Sequence, residues 1–212
     1  MSDSHPQVTI DPGTPVPNWS LNEAGRERVG TLARSGALSG TRQVVSSGET
    51  KAIETATPLA EALGCNLIIR EAMHENDRSA TGFLPPNEFE GVADEFFAQP
   101  EESVRGWETA VAAQKRIVRE VCDCLKHCVE GDVLLLGHGG VGTLLYCYLA
   151  GVPISWRFDQ VGRSGGCYFE FTPQMEKPLS AWRSLEELCR RGKDANAWHW
   201  VGTHRRMGHS SC

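Results

Sequence analysis

Short, wholly apolar runs alternate along this chain with longer stretches in which apolar side chains recur every three or four positions. The strongest run is Asp132-Val-Leu-Leu-Leu-Gly-His138, where no polar residue interrupts the apolar core. Such a run predicts a strand over 132–137 that is covered on both faces. A glycine-rich turn follows it, then a helix over 141–150. Arg42–Ser47 and Asn66–Arg70 predict two shorter strands, the first ending on polar residues. The pattern Ser20-Leu-Asn-Glu23 has the form of a capping box and predicts a helix from about 21 to 35. Glu49 to Leu63 carries Ala, Ile and Leu on one face and is closed by Gly64, which predicts a second helix. Residues 101–128 read as one long helix that Arg105 starts, Cys167 to Thr172 alternates as a strand does, and a further helix is expected near 178–191. Strands alternating with helices predict an α/β fold: a three-layer α/β/α sandwich around a largely parallel sheet.

The connecting segments are informative in their own right. Residues 7–19, with Pro12, Pro15 and Pro17, predict an extended loop. Residues 74–90, with Gly82, Pro85 and Pro86, predict a long polar loop of the kind that carries function. Phe83, Leu84 and Phe89 in it suggest an apolar wall.

Composition narrows the classes. At 212 residues the chain suits a single domain over 1–212, with a flexible C-terminal tail from about 192. The net charge of −6 leaves no basic footprint for nucleic acid. No apolar run approaches the roughly 18 residues that cross a bilayer, so no membrane association is expected. The opening Met-Ser-Asp-Ser-His-Pro has no apolar segment of a secretion signal, and the expected location is cytoplasmic. Eight cysteines are then expected as thiols. Cys122, Cys124, His127 and Cys128 cluster at the end of a predicted helix without a second ligand pair at zinc spacing, so no metal is expected.

Chemistry concentrates around His138. It stands at the carboxyl end of a central strand, where open α/β sheets place ligands, and before a helix whose free N–H groups favour an anion. Two motif matches compete for this region. Gly137-His-Gly139-Gly-Val-Gly142 matches G-x-G-x-x-G, with Asp159 at a distance suited to a ribose, but too little chain follows for a dinucleotide fold. Gly162-Arg-Ser164-Gly-Gly166 matches G-x-S-x-G, but Ser164 precedes a strand instead of following one.

A third reading accounts for more of the chain. Asn18-Trp19-Ser-Leu21-Asn-Glu-Ala-Gly25, Ser46-Ser-Gly-Glu-Thr-Lys51-Ala-Ile-Glu-Thr55-Ala56, the loop carrying Glu75, and Leu136-Gly-His138-Gly-Gly occur in that order. Together they resemble the histidine phosphatase superfamily, the phosphoglycerate-mutase-like proteins. Ser4-His5-Pro6 stands where that family has Arg-His-Gly, and the run Glu75-Asn-Asp-Arg-Ser-Ala-Thr-Gly82 resembles a variant branch.

The resemblance implies a phosphomonoester hydrolase of a phosphorylated small molecule, with no cofactor and no metal. His5 would be the nucleophile, forming a phosphohistidine. His138, Lys51, Ser47 and the Gly139 backbone would hold the phosphoryl oxygens, and Arg78 would replace a missing phosphate ligand. Glu75 would protonate the leaving alcohol and then activate water, with Asp77 and Glu71 as other carboxylates of the same loop.

Two departures from the family pattern bear on activity. Lys51 offers a point charge where the family has a two-pronged guanidinium. Only Met1 to Ser4 precede His5, where the family has about five apolar strand residues, so the first strand is expected to be truncated or missing. The alternative to a hydrolase is a catalytically impaired relative that binds phosphorylated ligands or a protein partner. The sequence leaves oligomeric state open.

Overall fold

A computed structural model describes residues 7–127, 131–160 and 165–195. The chain enters along Thr9–Asp11, passes a short 3₁₀ turn at Val16–Asn18, and forms α1 (Glu23–Arg34). There follow β1 (Thr41–Ser47), α2 (Thr50–Leu63) and β2 (Asn66–Arg70). Next come α3 (Pro86–Ala98), α4 (Ala110–Lys126), β3 (Asp132–Leu136) and α5 (Gly139–Ala150). A small ribbon of β4 (Cys167–Tyr168) and β5 (Arg183–Ser184) precedes α6 (Leu185–Ala195).

The main sheet is parallel in the order β2-β1-β3, with Ser46 level with Leu136 and Ser47 level with Arg70. Its alternation separates two layers of core, because successive side chains of a strand point to opposite faces. Val45, Val133 and Leu135 pack with α3, α4 and α5 around Phe96, Ile117, Leu144 and Trp107. Val44, Leu134 and Leu136 pack with α1 and α2 through Leu32, Leu59 and Ala56. The three-layer α/β/α sandwich expected from the sequence is thus the observed one. β4 and β5 pair antiparallel as a separate ribbon.

β1 is buried along most of its length, whereas the more apolar β3 is only half-buried. The difference follows from position: β1 has a strand on each side, while β3 is paired only with β1 among the described residues. No helix of the described residues is long and apolar enough to cross a membrane.

Several elements differ from expectation. The cap of α1 is Asn22, whose side chain accepts from the Gly25 N–H at 2.8 Å, so Ser20 is not the capping residue. The helix expected over 101–128 begins only at Ala110, where the Thr109 hydroxyl accepts from the Ala112 N–H. Upstream, Arg105 and Gly106 adopt positive φ (49° and 80°), which a continuing helix excludes. Arg105 therefore sits in a turn, paired with Glu88. The polar loop ends at Pro85, because Pro86 occupies the first position of α3, where its missing N–H costs nothing. The strand expected over 167–172 is confined to Cys167–Tyr168, and the helix expected near 178–191 is preceded by β5 and begins at Leu185. The ends 1–6 and 196–212, and with them His5 and most of the tail expected from 192, lie outside the described residues, as do Cys128 and Ser164.

Candidate active site

All three parallel strands deliver residues to one edge of the sheet, their carboxyl ends. β1 ends on Ser46 and Ser47, β3 runs through Gly137 into His138, and β2 leads through a 3₁₀ turn at Glu71–Met73 into the loop carrying Glu75. This is the edge where parallel sheets hold ligands.

His138 caps α5 with extended backbone and points its ring at β1. Its Nε2 shares a 2.8 Å hydrogen bond with the Ser47 hydroxyl and lies 3.5 Å from Glu49 Oε1. The ring is 3 % exposed. Burial pushes its pKa below the ordinary 6.5, and Lys51 and Arg78 add to that, against the opposing pull of Glu49 and Glu75. At neutral pH it is a neutral imidazole, a hydrogen-bonding group and not the cation that a histidine beside an anion site suggests.

Glu49, which motif reasoning passed over, is the buried hub of the site. Its carboxylate pairs with Lys51, stands beside His138 and accepts the backbone N–H of Glu75 at 2.8 Å. Burial works against its charge, but the His138 ring when protonated, the Lys51 ammonium and the Glu75 N–H outweigh it and hold the carboxyl below its usual range. Lys51 also reaches the Val16 carbonyl at 3.5 Å, tying the entry loop to α2. The signal for Glu49 was available: an acid directly after Ser46-Ser-Gly stands at the cap position of α2.

Glu75 occupies the N-terminus of α5. One carboxylate oxygen accepts from Val141 N–H at 3.0 Å and Asn76 N–H at 3.0 Å, the other from Gly140 N–H at 3.1 Å. A side chain at Gly140 would put its Cβ 2.7 Å from Glu75 Oε1, so glycine is what permits this approach. A Cβ at Gly139 would likewise lie 2.5 Å from the Gln160 amide nitrogen. Of the other two candidate acids, Glu71 lays its carboxylate against Gly48, between Ser47 and Glu49, and Asp77 caps the Ser79 N–H on the exposed side of the loop.

Arg78 stacks its guanidinium 4.9 Å over the Phe89 ring, with its charge still felt at His138. The expected apolar wall divides. Leu84 and Phe89 pack into the core, while Phe83 meets Trp19 at 5.7 Å and bridges the entry loop to the 74–85 loop. Two further polar residues were not anticipated. Asn76 is buried, with an amide nitrogen that has no partner among the described residues. Asp159, weighed above only as a ribose contact, accepts the buried Thr143 hydroxyl at 2.6 Å, and burial raises its pKa. The structure therefore brings Ser47, Lys51, Glu75, Arg78, His138 and Gly139 to one edge of the sheet, with Glu49 between them.

A sheet edge with a histidine at one helix cap, a strand-end serine and lysine at another, and an acid from the intervening loop defines a class, and comparison with known proteins agrees. The family model for the histidine phosphatase superfamily (branch 1) matches residues 13–183. The chain belongs to that superfamily and is a phosphatase of the histidine type. Its fold is similar to that of a mycobacterial glucosyl-3-phosphoglycerate phosphatase solved with vanadate (VO3), at 21% identity over 77% of this chain and 84% of that one, TM-score 0.58. It is also similar to a phosphoserine phosphatase from Entamoeba histolytica in complex with 3-phosphoglyceric acid, at 16% identity over 82% and 89%, TM-score 0.63. A protein described as mycobacterial hydrolase 2 matches at 17% identity over 93% of both chains, TM-score 0.65. No curated protein sequence matches significantly.

Proposed function

We propose that this phosphatase hydrolyses a phosphorylated small molecule through a phosphohistidine on His5, without a metal ion. The single observation that carries the proposal is the convergence of His138, Ser47, Lys51 and Glu75 at the N-termini of α2 and α5. Helix N-termini and clustered donors are what a dianionic phosphoryl group requires.

The chain that follows His5 is anchored beside β3. The Gln7 carbonyl accepts from the Asn22 N–H at 2.8 Å, Val8 bridges to Leu21, and Val8 packs in the cluster containing Leu134 and Leu136. The entering chain thus lies against the same layer as β3, and the nucleophilic role proposed for His5 itself, outside the described residues, rests on the family resemblance.

In the proposed sequence a neutral His5 nitrogen attacks phosphorus and the ester P–O bond breaks. Glu75 gives its proton to the leaving alcohol. Water then attacks the phosphohistidine while Glu75 takes the proton back, releasing phosphate and neutral His5. The His138 ring, the Ser47 hydroxyl, Lys51, Arg78 and the Gly139 backbone would share the charge on the transferring oxygens. The structural neighbours named for phosphoglycerate and phosphoserine chemistry support a small phosphorylated substrate.

The pairing of Lys51 with Glu49 favours a second reading, a relative that binds phosphorylated ligands without turning them over. Hydrolysis of an aryl phosphate in the presence of a chelator separates the two. Turnover that is lost in both H5A and H138A is the expected result. Turnover unchanged in H5A contradicts the proposal, and phosphate binding without turnover favours the binding-only relative.

A further inference from the structure

We infer that Arg116, on α4, is the positioning residue that holds Glu75 in its working place. The inference rests on the acid role proposed for Glu75, and it begins from where the loop's backbone groups find partners. Residues 72–77 run over the sheet edge with no regular partner for their carbonyls, and a half-buried carbonyl without one is costly. One guanidinium supplies three of them, with the His74 ring Nδ1 also 2.6 Å from the Glu75 carbonyl. Arg116 Nη1 donates to the Ala72 carbonyl at 2.8 Å and the His74 carbonyl at 2.9 Å, and Nη2 donates to the Glu75 carbonyl at 3.2 Å. The same guanidinium is held from behind by Glu108, at 3.0 Å from Nε and 2.7 Å from Nη2. Glu108 in turn grips the loop itself, accepting from the Asp77 N–H at 3.2 Å and donating its own N–H to the Asp77 carbonyl at 2.8 Å.

Glu75 is therefore fixed at both ends of its peptide: its N–H on Glu49, its carbonyl on Arg116 and the His74 ring. Only then can its carboxylate meet Gly140 and Val141. The described hydrogen bonds of Arg116 end on residues 72, 74, 75 and 108, so it acts on the site through the Glu75 backbone. The task needs a planar fork with donors on several nitrogens. A lysine ammonium keeps the charge for Glu108 but cannot span three carbonyls and a carboxylate at once. Mere ion pairing is thus distinguishable from positioning, because a lysine at 116 satisfies the first and fails the second.

A general acid matters most when the leaving group is poor. An alkyl phosphate needs its oxygen protonated, and a nitrophenyl phosphate scarcely does. In R116K we expect kcat for an alkyl phosphate to fall at least about tenfold further than kcat for nitrophenyl phosphate, with KM for both within about twofold of the parent. E75Q should show the same pattern, more strongly. Equal losses on both substrates in R116K, or none, while E75Q shows the selective loss, overturn the role of Arg116 and leave the acid role intact.

If E75Q leaves the alkyl-to-aryl ratio at the parent value, the acid role fails instead. Amide exchange then decides the positioning by itself. R116K should speed exchange at Gly140 and Val141, whose N–H groups Glu75 accepts, while α2 amides exchange at the parent rate. Unchanged rates at Gly140 and Val141 overturn the inference.

Discussion

The 2.8 Å contact between His138 Nε2 and Ser47 Oγ joins the carboxyl ends of β3 and β1 and is the only hydrogen bond to that ring within 3 Å among those described. Both side chains are buried, so removing one leaves the other without its hydrogen-bond partner. S47A should lower unfolding free energy by about 1–3 kcal/mol, the cost of an orphaned buried partner. Denaturant unfolding checks it through a lowered midpoint with unchanged slope.

The buried ring also gives stability a pH dependence of definite sign. The folded-state pKa of His138 lies below the ordinary 6.5, so the unfolded chain takes up the proton first as pH falls. The contribution is complete above 6.5 and is lost as pH drops from there toward the folded value. Unfolding midpoints measured from pH 8 to 5 should decline below 6.5, and H138N should flatten that limb. A decline of equal steepness in H138N would show that another group sets it.

Gly140 separates activity from stability. An added Cβ would meet the tip of the Glu75 side chain, which can swing away, so the fold tolerates it while the carboxylate loses its place. G140A should lower the melting temperature modestly, because the Gly140 and Val141 N–H groups lose the Glu75 carboxylate, and lose activity about tenfold or more, since small misplacements of a reacting group are that costly. Paired melting and rate measurements test this directly.

Asp159 carries a buried carboxyl whose pKa burial raises above 3.8. The folded state therefore holds its proton to higher pH than the unfolded chain, and stability falls as pH rises through that window. D159N keeps an oxygen for the Thr143 hydroxyl and removes the buried charge. Its melting temperature should exceed the parent's at pH 7, with the gain shrinking as pH is lowered toward 4.

Much of the frame was legible because its signals are local. β2 was expected at Asn66–Arg70 and is found there, since both ends carry turn or polar residues. Gly64 closes α2 in the left-handed conformation that its sequence position implies. Boundaries failed where tertiary contacts decide. The turn at Arg105 and Gly106 is set by packing of Val104 and Trp107 into the core, and neither glycine spacing nor helix period reveals it. In the site, His138, Ser47, Lys51 and Glu75 were legible because each sits in an ordered motif. Glu49, Glu108 and Arg116 were not, because they act on other protein groups, and only the fold brings residues 67 positions apart (Glu49 and Arg116) onto the same loop.

The measurement that bears most directly on the catalytic proposal is chemical trapping of the intermediate. The protein is mixed with a phosphomonoester, quenched under denaturing alkaline conditions, where phosphohistidine survives, and digested for mass spectrometry. The account predicts a phosphoryl group on His5 that forms before phosphate is released and is absent in H5A. Turnover with no phosphoryl group on His5, or with the group on another residue, would contradict it.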